Sequence, residues 1–238
     1  MQHFPPTKFE ICQLRGKLKR LGLSISSVFF CDNITMYLLG EIMKKLLTTI
    51  IILGLQFVCT VNAKVISNEK IDNNKVATAS KIITDLQNDM QSFTKKGSGP
   101  FVAAIYDSEG KLLVKVANSV VNEHCSNNHA EMNAIKAVEQ KLGTYDLAPY
   151  NLKLYVTAEP CIMCVGGIMW SGIKEVYYGV PSKTVEEITG FDEGFKPHWF
   201  REFKKRGIVV YGNIEPELGE QQLYKYVNDG KEVYKPSR

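Results

Sequence analysis

The chain has 238 residues, 45% of them hydrophobic and 23% charged, with a formal net charge of +4; that is enough for one ordinary domain with a full core, and it excludes fibrous and wholly disordered classes. The first 63 residues hold 7 basic and 3 acidic side chains, so 22 of each sign remain and residues 64–238 are formally neutral. A domain that grips RNA or DNA through its phosphates carries a basic excess, so no nucleic-acid partner is expected.

In chain order, the first distinctive segment is Met43–Ala63, with two lysines, an apolar stretch from Leu46 to Val58 and a small or polar ending at Val61-Asn62-Ala63. This is the layout of a secretory signal peptide cleaved after Ala63, and it predicts an exported, periplasmic or secreted protein. The apolar run falls short of the roughly 20 residues of a spanning helix, so no membrane is expected in the mature form. Val58 before Cys59 also disfavours lipid attachment, which usually follows a small residue. A signal peptide belongs at an N-terminus, so Met43 reads as the true start. Residues 1–42 read as an upstream extension, non-native or disordered, and residues 64–238 as the single functional domain.

Within that domain, Val76, Ala79, Ile82, Ile83, Leu86, Met90 and Phe93 recur at three and four and predict an amphipathic helix. "FVAAIYD" and "KLLVKVANSV", joined across Ser108-Glu109-Gly110, predict a β-hairpin. Helical spacing returns from His129 to Leu142 and stops at Gly143. "LKLYVTA" predicts a strand, and "CIMCVGGIMW" a short helix opening straight after Pro160. "EVYYGV" follows as a strand, "TVEEITG" as a helical fragment, "PHWFREFKKR" as a helix, "IVVYG" as a last strand, and Glu217–Tyr234 as a tail with helical character. This alternation predicts a layered α/β domain with helices on both faces of one mixed sheet. "GSGP" lacks the lysine of a phosphate-binding loop, and Lys204-Lys205-Arg206 reads as a solvated helix end.

Two short patterns carry chemistry: His129-Ala130-Glu131, and Pro160-Cys161-Ile162-Met163-Cys164. The first is weak alone; the second is rare, and each falls at the start of a predicted helix. Cysteines three apart share one helix face, and a helix N-terminus eases the holding of thiolate charge. Cys161 and Cys164 can therefore offer two thiolates to one zinc ion, with His129 as the third ligand. Three protein ligands leave a fourth position open, the mark of a catalytic rather than a structural zinc site. Water there becomes a nucleophile near neutral pH, and Glu131, beside the ion but not on it, can move its proton to a leaving group. Two blander readings stand beside this one. Cys161 and Cys164 form a redox dithiol in the first; in the second they belong to a structural zinc site completed by Cys125 or His124.

The H-x-E and P-C-x-x-C pair is the signature of zinc deaminases of nucleobases. The text "NHAEMNAIKAVEQKLGTYDL…LYVTAEPCIMCVGGIMWSGIKEVYYG" resembles the cytidine and deoxycytidylate deaminase superfamily, in the branch of guanine deaminases and tRNA adenosine deaminases. The resemblance covers roughly Lys75 to Tyr211. It implies a three-layer α-β-α sandwich around a mixed five-stranded sheet, usually a homodimer, and hydrolytic release of ammonia from a small nucleobase or nucleoside. It also implies substrate contacts. Asn118, eleven residues before the zinc histidine, would hold a purine, and Phe101 of "GPF" would line the base pocket. Trp170 resembles the guanine enzymes, and Asp192 or Glu193 of "GFDEGF" would fill an acidic purine-binding role. The backbone amides of Ala130 and Cys161 would face the reacting groups. Val102 departs from the family's glycine, "DE" replaces "DD", and Pro197-His198-Trp199-Phe200 is a candidate lid segment. Guanine is the favoured substrate on these residues. Alternatives are a tRNA adenosine deaminase, a cytosine or cytidine deaminase, a non-catalytic zinc- or base-binding protein, and an exported dithiol oxidoreductase.

Overall fold

In the computed structural model, residues 64–235 are described, so the readings of residues 1–42 and of the Met43–Ala63 segment lie outside the described residues, as do residues 236–238. Asp72 opens the first helix, α1 (Asn73–Thr94), its carboxylate accepting the amides of Asn74 and Lys75 and so satisfying two of the donors a helix start leaves free. The apolar positions expected on this helix form its inner stripe: Ile83, Leu86 and Met90 are buried against the sheet. The hairpin is formed by β2 (Val102–Tyr106) and β3 (Leu112–Ala117), paired antiparallel. Its second strand stops at Ala117, and Val120–Glu123 forms a one-turn helix, α2, where a continued strand was expected. Asn118 marks that break: its side-chain oxygen accepts the Val120 amide, which turns the backbone into the helix.

After α3 (Ala130–Leu142) and a short 3-10 turn come β4 (Lys153–Ala158), α4 (Ile162–Ser171), β5 (Glu175–Val180) and α5 (Ser182–Thr189). α6 (Trp199–Lys205), β6 (Val209–Gly212) and α7 (Pro216–Asn228) complete the chain. β4, β5 and β6 run parallel, and β2 joins β4 antiparallel. Helices α1 and α7 pack on one face, α3 and α4 beside each other on the opposite one, which is the three-layer α/β sandwich expected. The sheet has six strands instead of five, in the order β1-β6-β5-β4-β2-β3. The additional strand, β1 (Ile66–Ser67), pairs antiparallel with Gly212 and Tyr211; two residues are too few to show the alternation that marks a strand in sequence.

The parallel register sets Tyr155, Tyr177 and Tyr211 side by side, with ring centroids 4.6 and 5.3 Å apart in stacked geometry. Cross-strand aromatic pairs of this kind add stability beyond their buried area. They fix the middle of the sheet, so that the ends of β3 and β4 give rigid support to the loops that leave them. Among the described residues no helix is long and apolar enough to cross a membrane.

Candidate active site

The loops leaving β3 and β4 converge on a single cleft of about 750 Å³. His129 and Cys161 stand at equivalent places in it. Each is the residue before a helix, in extended conformation, and neither helix start has a side-chain cap. His129 Nδ1 lies 3.5 Å from Cys161 Sγ, which in turn lies 3.5 Å from Cys164 Sγ. All three ligand atoms fall within 4.8 Å of one another. A tetrahedral zinc with bonds of about 2.3 Å to sulfur and 2.0 Å to nitrogen needs edges of about 3.5–3.8 Å, so the set fits zinc with little adjustment. Two thiolates and one imidazole are also the donor chemistry zinc selects. The sequence-predicted ligands are thus brought together. Cys125 and His124 stay at the rim of the cleft: Cys125 Sγ turns to Asn127 Oδ1 at 2.8 Å.

Mutual contact and burial set the protonation of these groups. The Cys164 contact holds the Cys161 thiol down to about 4, against burial and with help from His129. The same contact, followed by burial, pushes Cys164 up. Burial, the largest single influence, opposes protonation of His129, but the bond to Cys161 together with the Cys161 and Glu131 charges outweighs it and the imidazole is raised. Glu131, in the first turn of α3, is only 5% exposed. Burial, then the Cys161 charge, pushes its carboxyl up to about 7, where it can take or give a proton at physiological pH.

The cleft wall includes Phe101, Asn118, Asp192 and Glu193, as the resemblance implied. Asn118 is fully buried, and its position depends on Gly99: a β-carbon there would stand 2.8 Å from Asn118 Oδ1. Phe101 packs edge-on against Phe191 at 5.3 Å. Glu193 is 7% exposed; burial first, then the Cys161 charge, raises its carboxyl to about 9. Its segment is bound to the start of α4, because the Ile162 amide donates to Glu193 O and Lys196 Nζ donates to Pro160 O at 2.6 Å. Glu159 strengthens the latch, ion-paired with Lys196 at 3.1 Å and accepting from Trp199 Nε1. The Pro197–Phe200 segment therefore braces the cleft through Trp199, whose indole is buried.

One expected contact is placed elsewhere. Trp170 is 89% exposed and outside the cleft. Six residues past Cys164, at about 100° per residue, its side chain is turned some 240° from the ligand's. The side chain of Ala130 is fully buried, which leaves the expectation there, of its backbone amide, as it was. Val102 is buried in β2, its amide bonded to Thr157 Oγ1, and does not line the cleft. Conversely, sequence reasoning missed Phe191 and Tyr234, whose rings meet at a tilt with centroids 4.9 Å apart and which line the cleft with Glu232 and Lys235. Phe191 stands inside "GFDEGF" and was legible as an aromatic beside the acidic pair. Tyr234 had no local signal: α7 ends at Asn228, and the residues after it return across the site.

A mononuclear metal-ligating cluster with an unligated carboxyl beside it, at two helix starts of a three-layer α/β sandwich, defines a zinc hydrolase site. The family model described as "Cytidine and deoxycytidylate deaminase zinc-binding region" matches residues 76–180, and the chain belongs to that zinc-dependent deaminase superfamily. The tRNA-specific adenosine deaminase of Aquifex aeolicus is 40% identical over 134 residues, covering 56% of this chain and 74% of the relative. The guanine deaminase of Bacillus subtilis is 36% identical over 97 residues, 41% of this chain; the match spans 60% of that relative's length. Among solved structures, one in complex with 2,6-diaminopurine is 31% identical with a TM-score of 0.62, covering 66% of this chain and 85% of the other. The guanine deaminase of Nitrosomonas europaea is 32% identical with a TM-score of 0.58, covering 60% and 81%.

Proposed function

We propose that this protein is a hydrolytic deaminase that removes the amino group of a free nucleobase or nucleoside as ammonia, with guanine as its first substrate. The observation that carries the reading is the buried Glu131 carboxyl beside His129, Cys161 and Cys164 at a cleft with ample room for a purine. Zinc held by those three side chains would supply the acidity that makes water a nucleophile near neutral pH. Glu131 would accept a proton from the attacking water and deliver it to the departing amine. Phe101 and Phe191 give a flat base an apolar wall, Asn118 and Glu193 give its edge polar partners, and the braced 191–199 segment limits access of bulk water.

The choice of guanine rests on Asn118, Phe101 and the acidic pair lining one cleft, and on the likeness to guanine deaminases in sequence and structure. Trp170 contributes nothing to that choice. Deamination of a tRNA adenosine is the second reading, favoured by the 40% identity to the Aquifex aeolicus enzyme and disfavoured by the neutral charge of residues 64–238. Export through the Met43–Ala63 segment is part of the first reading, since tRNA editing belongs in the cytoplasm. Homodimerisation is proposed through the exposed apolar side of α4, where Ile162 is 47% and Trp170 89% exposed and Gly166 leaves open space.

Ammonia release from guanine, guanosine, adenosine, cytosine and cytidine, measured with zinc content on the same sample, tests the reading. One zinc per chain and preferential turnover of guanine is the expected result. Full zinc with no turnover of any base would replace it with a zinc- or base-binding role, and zinc-free protein with a reducible Cys161–Cys164 bond would replace it with a dithiol one.

A further inference from the structure

His129 presents its two ring nitrogens to different neighbours. Nδ1 faces the thiols, 3.5 Å from Cys161 Sγ; Nε2 faces the C-terminal tail, 3.4 Å from Tyr234 Oη. The nitrogen on the thiol side is the metal ligand, and it can bind only through an unprotonated lone pair. The neutral ring then carries its proton on Nε2, and that proton needs an acceptor.

The polarity of the surrounding bonds identifies one. Asn118 Oδ1 accepts the Val120 amide at 3.1 Å, which fixes the orientation of the carboxamide and leaves Nδ2 to point at Tyr234. Asn118 Nδ2 donates to Tyr234 Oη at 2.7 Å. The phenolic oxygen is therefore already an acceptor, and its second lone pair remains for Nε2–H, with the hydroxyl proton left to face the cleft. The reverse arrangement, with the phenol donating to Nε2, would put the ring proton on Nδ1 and block the ligand position. The tail is held in place for this contact. Tyr226, near the end of α7, donates to Glu232 O at 2.5 Å, and the Tyr234 ring lies against Phe191 at 4.9 Å and edge-on to His129 at 5.9 Å.

We propose that Tyr234 is a positioning residue for the metal centre: its phenolic oxygen accepts the Nε2–H of His129 and locks the tautomer that offers Nδ1 to the ion. The inference rests on the zinc reading above. It makes the C-terminal tail, outside both sequence motifs, part of the metal site, and it ties Asn118 to the same bond network.

The test is zinc affinity of the full chain by chelator competition, wild type against Tyr234→Phe, which removes the oxygen and keeps the ring. Loss of a partner of this kind weakens metal binding roughly 10- to 100-fold, and that loss is expected in zinc-free chains that still fold cooperatively, with a thermal midpoint lowered only by the acceptor that Asn118 Nδ2 also loses. Nitrogen NMR of histidine-labelled, zinc-loaded wild type gives a second readout that needs no variant. His129 is expected as the Nε2–H tautomer with a slowly exchanging proton. Zinc affinities equal within about twofold, or a proton on Nδ1 in the loaded protein, would overturn the role of Tyr234 alone. A wild-type chain that takes up no zinc would instead overturn the metal centre itself.

Discussion

Replacing Glu131 by Gln separates what this carboxyl does for turnover from what it costs the fold. In the metal-free protein its pKa rises from 4.5 to about 7, through burial first and the Cys161 charge second. Folding therefore favours the protonated form. Stability from this group is fully present below pH 4.5, falls as pH rises, and is gone above pH 7. The gap is worth about 3 kcal/mol at 1.36 kcal/mol per pH unit. The amide of the Glu131→Gln variant stays neutral at every pH, so the variant lacks that decline and is expected to be about 3 kcal/mol more stable than wild type at pH 8, relative to their difference at pH 4. Urea denaturation with a chelator present, at a series of pH values, measures it. With zinc restored, the same variant keeps the metal but loses turnover by about 10²- to 10⁴-fold, the usual contribution of a positioned acid–base group. Parallel stability curves for the two proteins would refute the buried, proton-holding carboxyl, and full turnover by zinc-loaded Glu131→Gln would refute its role in proton transfer.

Gly99→Ala would place a methyl 2.8 Å from Asn118 Oδ1; a loss of about 1–3 kcal/mol in stability is expected from overpacking, together with a raised KM for guanine. Thermal unfolding and steady-state kinetics measure the two. Trp170→Glu puts a charge on the 89% exposed side chain of α4 and is expected to weaken the proposed homodimer in sedimentation experiments without disturbing zinc content. Lys75→Met removes the 2.8 Å ion pair with Glu175. Burial alone would raise Glu175, but its bonds from Lys75 and Tyr177 win and lower it, so this pair stabilises above the unfolded value near 4.5 and is lost as pH falls through the folded one. The variant should lose about 1 kcal/mol at neutral pH and show a flatter acid limb in denaturation curves.

The hydrophobic pattern made most of the fold legible. Helix α1 has one buried stripe and stands where its periodicity puts it, and β4 and β5, buried on both faces, read as short continuous apolar runs. Legibility failed where a few residues answer to distant neighbours. The two residues of β1 are strand only because β6 offers an open edge, and α2 interrupts a β-like run because Asn118 turns back on Val120. The metal cluster was legible for a related reason. Cys161 and Cys164 are fixed by helix spacing, and His129 and Glu131 by the start of another helix, so both halves are local even though their meeting is not.

Substrate contacts obey the opposite rule. Trp170 shares a helix with the ligands and yet faces solvent, because six residues carry a side chain round to another side. Tyr234 is 105 residues from His129 and yet lies against it. Proximity in sequence to a motif is therefore a weak guide to the cleft of this protein, whose walls come from six separate segments: the start of β2, the turn after β3, the 124–131 loop and helix start, the end of β4 with the loop to Cys161, the 191–193 strap, and the tail after α7. The last of these is half-buried at Val233 and Tyr234 and exposed at Lys231, Glu232 and Lys235. Changes in the tail should accordingly alter zinc retention and base selectivity while leaving the core intact. Hydrogen exchange on zinc-free and zinc-loaded protein checks this directly: amides of residues 230–235 are expected to gain protection on metal binding, whereas those of β4 and β5 stay protected in both, and a tail indifferent to zinc would break the connection between it and His129.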